Sequence, residues 1–204
     1  MKLSNTAYVI LGALSIQSGL SGYDIRKGVE QSVGHFWGES YGQIYPALKR
    51  LSELGLIESA APTQEPEPSA GGRPRRQAWA ITAAGRLELR QWLARPFHNE
   101  PIRNEFLLKL FFCGEAAPGV ALAHVQELQA RNQRSLAMMK GMKAMAASQP
   151  NPNPNLPYWM LTLELGMRMT EAALAWGEET TQALPELERK AHGAEEPRRT
   201  QGEP

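Results

Sequence analysis

The side chains of this sequence best equipped for chemistry are equipped to grip a polyanion. Ser40-Tyr41-Gly42-Gln43-Ile44-Tyr45 offers hydroxyl and amide groups on the side of a helical repeat opposite the apolar stripe of Ile44, Leu48 and Leu51. Hydroxyls donate to phosphate oxygens, and a glutamine amide pairs with the edge of adenine. Lys49 and Arg50 follow on the same segment, where cationic side chains neutralise backbone phosphates. Further on, Gly72-Arg73-Pro74-Arg75-Arg76 packs three arginines into four residues, a density that suits insertion along a DNA backbone or into a minor groove. Glu65 and Glu67 precede these arginines and oppose them electrostatically. Taken singly, each segment also fits a solvated helix face or a solvated loop. The frame that presents them decides between the readings.

Other chemistries find no constellation. His35, His98, His124 and His192 are far apart and form no ligand-spaced pair. Cys113, the single cysteine, lies in an apolar helical stretch, where a packed thiol is expected rather than a nucleophile. It excludes an intramolecular disulfide. Gly19-Leu20-Ser21-Gly22 lacks the lysine and the preceding strand of a phosphate-binding loop. No catalytic residue, metal or cofactor is therefore expected. The composition of the 204 residues, 42% hydrophobic and 21% charged, is that of an ordinary globular protein, long enough for one domain or two small ones. Net charge is only +1, but residues 1–97 hold 11 Lys/Arg against 8 Asp/Glu while 98–204 hold 11 against 13. The excess of positive charge thus lies in the half with the candidate grip. The apolar run at 8–14 is too short for a signal peptide or a membrane span, so a cytoplasmic protein without membrane contact is expected.

Proline marks the boundaries. Eight of the fifteen prolines fall in two segments, 62–74 and 150–157; the first reads as an exposed loop and the second as a stiff connector. Ser4 caps a first helix carrying Ala7, Ile10, Leu11 and Leu14, and Ser21-Gly22-Tyr23-Asp24 opens a second. Ser40-Tyr41-Gly42-Gln43 opens a third, which Gly55 stops. Two short strands follow, 56–59 and 77–81, separated by the Pro-rich loop, and Thr82 caps a fourth helix with Leu87, Leu89, Trp92 and Leu93. Helix, helix, helix, strand, loop, strand, helix is the order of a winged helix-turn-helix. The third helix is then the reading helix and the arginines sit on the wing.

The second half reads as all helical, giving a mostly α chain with a small β-wing. The expected organisation is a winged helix over 1–97, a helical dimerisation domain over 98–185 and a polar, disordered tail over 186–204. A helix over about 118–147 spaces Ala121, Val125, Leu128, Asn132, Ser135, Met139, Met142 and Ala146 in a 4-3 repeat. One over about 157–184 does so with Trp159, Thr162, Gly166, Met169, Ala173 and Trp176. These are coiled-coil-like seams. The second of these helices also has Leu161, Leu163, Leu165, Met167 and Leu174 off its seam, and a helix apolar nearly all round wants a second neighbour, for which another copy of the chain is the natural candidate. Met139 and Met142 with Trp159 and Trp176 fit either an ordinary core and dimer seam or a pliable pocket for a small aromatic or drug-like effector. Trp37 is a further candidate effector contact.

At this point the motifs carry a resemblance. Ser21-Gly22-Tyr23-Asp24-Ile25, Gly42-Gln43-Ile44-Tyr45-Pro46-Ala47-Leu48-Lys49-Arg50-Leu51, Gly55-Leu56-Ile57, the arginine segment and Ile81-Thr82-Ala83-Ala84-Gly85 resemble, in order, the PadR family of bacterial transcriptional regulators. The tract from Arg103 to Phe112 is similar to the segment that opens the dimerisation domain of the virulence-activator type. The resemblance implies a homodimer, joined through its C-terminal helices, whose winged helices bind a near-palindromic double-stranded DNA operator, usually to repress. By the same carry-over, Ser40, Tyr41, Gln43 and Tyr45 meet DNA from the reading helix and Arg73, Arg75 and Arg76 from the wing. The sequence departs from the family at Gln77-Ala78-Trp79 and in the length and acidity of the wing loop. A protein-docking adaptor built on the same winged helix remains the alternative; it would have no need of the three arginines.

Overall fold

In the computed structural model, which describes residues 3–32, 36–37, 41–61, 77–97, 103–148 and 153–193, the first helix starts where a hydroxyl can cap it. Ser4 Oγ accepts from Ala7 N–H, and α1 (Asn5–Ile16) then buries Ala7, Tyr8, Ile10, Leu11 and Leu14. A two-residue strand, β1 (Leu20–Ser21), leads directly into α2 (Gly22–Ser32). A tight 3₁₀ turn (Tyr41–Gln43) precedes α3 (Ile44–Glu53). Gly55 ends α3 in the left-handed region at φ +66°, and its N–H donates to Ser52 O while Leu56 N–H donates to Leu51 O. That pair of bonds satisfies the last carbonyls of the helix and turns the chain into β2 (Ile57–Ala60). β3 (Ala78–Ile81) pairs antiparallel with β2 in the register Ile57↔Ile81 to Ala60↔Ala78, and with β1 through Leu20↔Trp79 and Ser21↔Ala78. Thr82 then caps α4 (Ala83–Leu93) by accepting from Gly85 N–H.

The sheet therefore has three strands in the order β1-β3-β2, where the sequence reading has two. Two residues are too few to show a strand's alternation, and β1 exists because Gly19, at φ +79°, turns the chain so that its N–H donates to Trp79 O. One core joins α1, α3 and the sheet: Leu3, Tyr8, Ile10, Leu11, Leu14, Ile25, Leu48, Leu51, Ile57, Trp79 and Ile81 are all buried in it. Burial of so much aliphatic surface is what fixes α3 on the sheet.

The chain divides into two units, Met1–Asn99 and Glu100–Pro204. In the second, Asn104 caps α5 (Glu105–Phe111), and α6 (Val120–Ser148) and α7 (Leu156–Gly193) form an antiparallel hairpin. Gly119 N–H donates to Glu188, Thr181 Oγ1 donates to Gln129 at 3.3 Å, Lys140 pairs with Glu171 and Lys143 with Glu164 at 2.8 Å. On α6 the buried and half-buried positions include every residue of the expected seam, from Ala121 and Val125 to Met139, Met142 and Ala146.

On α7 the seam is displaced by one residue. Met160, Leu163, Met167, Thr170, Leu174, Gly177, Thr181 and Leu184 face inward, whereas Trp159, Thr162, Met169 and Trp176 are exposed. Both rows repeat in the same 3-4 rhythm, so spacing alone does not choose between them. Packing against α6 does, since Leu163 and Met167 enclose Met139, and Leu184 packs with Ala121 and Val125. The helix also runs on past the expected end near residue 184, through Pro185 to Gly193, so part of the supposed disordered tail is helical. Contacts on both sides of the proline hold it: Leu184 is buried, Glu188 accepts from Gly119, and Lys190 pairs with Glu186.

Candidate nucleic-acid interface

The start of α2 is fixed by a reciprocal cap. Asp24 N–H donates to Ser21 Oγ, while Ser21 N–H and Ser21 Oγ both donate to Asp24 Oδ2, at 2.9 and 2.6 Å. The carboxylate also complements the positive end of the helix dipole. This cap directs Tyr23 outward, where it is partly exposed beside the Arg26 guanidinium, 5.4 Å from its ring centroid. Gly22 lets the start of α2 approach α3: a Cβ there would lie 3.0 Å from both Leu48 Cδ1 and Tyr45 Cε1.

Ile44, Leu48 and Leu51 on α3 are buried, so the opposite face must look outward. Tyr45 is 65% exposed, and Gln43, Lys49 and Arg50 are exposed with it. Tyr45 and Lys49 stand one turn apart on one face. Gln43 occupies the N-cap position, but its side chain makes no capping bond. Its amide is thus not spent on the helix, whose opening the sequence reading places at 40–43. Arg50 lies 3.8 Å from Glu53 in an exposed pair.

Between α3, the start of α2 and the base of the wing runs an open groove of about 450 Å³, lined among others by Ser21, Tyr23, Tyr45, Lys49, Gln77 and Trp79. Tyr23 and Gln77 were not among the expected contacts. The Ser-x-x-Asp cap was the sequence signal that would have placed Tyr23 at an outward helix start. Glu53 also lines the groove and is its acidic exception. Ser40, Arg73, Arg75 and Arg76 lie outside the described residues, as does the side chain of Tyr41. The last described wing pair is Ala60↔Ala78.

The candidate effector residues of the helical unit do not gather into one pocket. Met139 is 1% exposed and Met142 half-buried in the same apolar cluster as Leu163 and Met167. Trp159 and Trp176 lie 17 residues apart on α7, about 25 Å along its axis, with Trp176 edge-on to Phe106 at 6.0 Å. Trp37 differs from these. Its indole Nε1 is buried and, among the described residues, is the one buried side-chain nitrogen or oxygen without a hydrogen-bond partner.

Comparison with known proteins places this geometry. Residues 10–91 match the model of the "Transcriptional regulator PadR-like family", and residues 102–185 match "Virulence activator alpha C-term". The "Negative transcriptional regulator PadR" of Bacillus subtilis (strain 168) is 32% identical over 148 residues, 70% of this chain and 76% of that protein. The crystal structure of Bacillus subtilis PadR in complex with operator DNA superposes with a TM-score of 0.70 at 26% identity, over 87% of this chain and 98% of that one. The structure of the same regulator with p-coumaric acid gives 0.67 at 24% identity, over 88% and 98%. Among the described residues no helix is long and apolar enough to cross a membrane. With a winged unit and a helical unit each matched in order, the chain belongs to the PadR-like family of transcriptional regulators.

Proposed function

We propose that this chain is a cytoplasmic homodimer that binds a near-palindromic double-stranded DNA operator and represses the adjacent promoter until a small aromatic effector releases it. One observation carries the reading: α3 is clamped by Ile44, Leu48 and Leu51 with Gln43, Tyr45 and Lys49 facing out over an open groove. In this reading Gln43 reads an adenine edge, Ser40, Tyr41 and Tyr45 supply hydroxyls to bases and phosphates, and Lys49 holds a phosphate. Arg73, Arg75 and Arg76 follow the backbone or minor groove from the wing. The PadR relative solved in complex with operator DNA supports DNA as the partner.

Dimerisation is supported by α7. With the seam occupied by Leu163, Met167 and Leu184, the row of Tyr158, Leu161, Leu165, Met169 and Trp176 stays exposed along one helix, and a continuous exposed apolar row is the kind of surface that marks an association site. A second copy covering it joins two reading heads, and the second contact on DNA becomes intramolecular. The effector is supported by the relative that binds p-coumaric acid and by the Trp37 indole N–H, a donor suited to a carboxylate or phenol oxygen. Met139 and Met142 serve as core in this reading.

Fluorescence anisotropy on duplexes selected from random sequence by the purified protein, against scrambled duplexes at two salt concentrations, tests the reading. The expected preference is about 10³-fold or more, and Gln43→Ala should narrow it. Weak binding equal on all duplexes overturns the reading and leaves a winged helix that docks protein.

A further inference from the structure

Tyr45 is 65% exposed, yet its ring has a seat. The ring edge that carries the hydroxyl lies over Gly22 at the start of α2: a Cβ on Gly22 would stand 3.0 Å from Tyr45 Cε1 and 3.4 Å from Cζ. The space a side chain would take at position 22 is thus the space the Tyr45 ring takes. The same missing Cβ leaves room for Leu48 Cδ1, also at 3.0 Å, and Leu48 is buried. Gly22 is itself buried and its φ is not positive, so close approach, and not backbone geometry, calls for glycine here.

The seat is only as firm as the start of α2, and that start is held from both sides. Before Gly22, Ser21 pairs with Ala78 in the sheet. After it, Asp24 Oδ2 accepts from Ser21 N–H and Ser21 Oγ, and Asp24 N–H donates back to Ser21 Oγ. Ser21, Gly22, Asp24 and Tyr45 all belong to the winged unit, so the arrangement is complete within it. An exposed side chain that must be immobilised on binding loses part of its interaction to that ordering. A tyrosine already seated loses less.

We propose that Gly22 and Asp24 are positioning residues: without contacting DNA they hold the Tyr45 hydroxyl in place, and so set how strongly the protein prefers its operator over other duplexes. The inference rests on the operator reading above. Charge alone predicts a different result for Asp24, because removing a carboxylate near a polyanion strengthens binding to every duplex alike.

The test uses the full chain and the selected and scrambled duplexes described above. The readout is the ratio of Kd on the scrambled duplex to Kd on the selected one. Tyr45→Phe, which keeps the ring and drops the hydroxyl, should lower that ratio about fivefold, the worth of one hydrogen bond. Gly22→Ala should lower it about threefold or more, but should leave it unchanged where Tyr45 is already alanine, because the ring it displaces is gone. Asp24→Ala should lower it likewise, and Asp24→Asn should restore part of it, since asparagine also caps a helix. In the free protein, NMR with labelled tyrosine should show an NOE between the Tyr45 ring and a Gly22 α proton. Melting curves identify a variant that has lost its fold.

If wild type discriminates and Tyr45→Phe or folded Gly22→Ala discriminates equally, the positioning role is overturned and the operator reading stands. Equal losses from Gly22→Ala in both backgrounds also overturn it, because the glycine then acts through Leu48 and the fold. A missing NOE removes the seat, and an Asp24→Ala variant that binds every duplex more tightly at an unchanged ratio removes Asp24. If wild type shows no sequence preference, the operator reading fails and the positioning role with it.

Discussion

Replacing Gly85 with alanine sets two physical terms against each other. Gly85 lies in the first turn of α4 and its φ is not positive, so the backbone does not require glycine. Helix propensity alone would reward alanine by about 1 kcal/mol, less near a helix end. Space decides otherwise. A Cβ at this position would collide with the carbonyl oxygen of Leu56 and stand 2.9 Å from Ile81 Cγ1. The Leu56 oxygen is not free to swing away, because it accepts Thr82 N–H at 3.1 Å, and Thr82 Oγ1 in turn donates to Gly55 O and accepts Gly85 N–H. Either α4 lifts from the sheet or the Thr82–Leu56 bond breaks. Overpacking of this kind costs about 1–3 kcal/mol, and a lost hydrogen bond about 1 more. The net expectation for Gly85→Ala is a loss of about 1–3 kcal/mol, which in a unit of this size lowers Tm by roughly 5–20 °C. Thermal unfolding followed by circular dichroism gives the shift, and hydrogen exchange at the β2 and β3 amides should show the loss within the winged unit. An unchanged or raised Tm would refute the reasoning, since it would mean that α4 can shift at no cost.

Three other outcomes can be measured, two from the described geometry and one from the arginine segment of the sequence. Leu163→Ala should destabilise the helical unit by about 2–5 kcal/mol, whereas Leu161→Ala, two residues away but 68% exposed, should leave chain stability nearly unchanged and weaken self-association in sedimentation; equal effects on stability would return the α7 seam to dispute. Burial first, then the hydrogen bond to Glu88 and its charge, raise the Tyr8 phenol above its ordinary value. Its contribution is therefore complete below about pH 10 and is lost as pH rises through the folded-state value, so denaturant midpoints should fall above pH 10 in wild type and less in Tyr8→Phe. Replacing Arg73, Arg75 and Arg76 together with alanine should reduce the slope of log K against log salt by up to about 2.7, the share of three phosphate contacts; an unchanged slope removes the wing from the interface.

Local signals were legible wherever one residue does the work. Ser4 and Thr82 cap as their hydroxyls allow, Gly55 stops α3 in the left-handed region, and the α6 repeat lies on the buried face. What stayed illegible depends on a partner that the spacing does not name. On α7 the rows through Trp159 and through Met160 share one rhythm, and the choice between them is made by α6. Gly177 shows how: a Cβ there would lie 2.7 Å from Gln129 Cγ, so the inward row is the one that gives Gln129 room to meet Thr181. The outward row then inherits Tyr158, Leu161, Leu165 and Met169, and the apolar excess that blurred the seam becomes an exposed row along α7, the one on which the proposed dimer rests.

The same logic bears on the interface. Gln43, Tyr45 and Lys49 look like any solvated helix face until the neighbours of α3 are known. Two facts set them apart: Gly22 lets the start of α2 come against Tyr45 and Leu48, and Gln77 and Trp79 bring the base of the wing to the same groove. A face that must meet a duplex needs both, because the phosphate backbone on either side of the major groove has to be met by elements flanking the reading helix. In the proposed reading Ser21-Gly22-Tyr23-Asp24 belongs to the interface with α3, and its cap does for the flank what the buried stripe of Ile44, Leu48 and Leu51 does for the reader: it commits the backbone so that the exposed side chains stay outward.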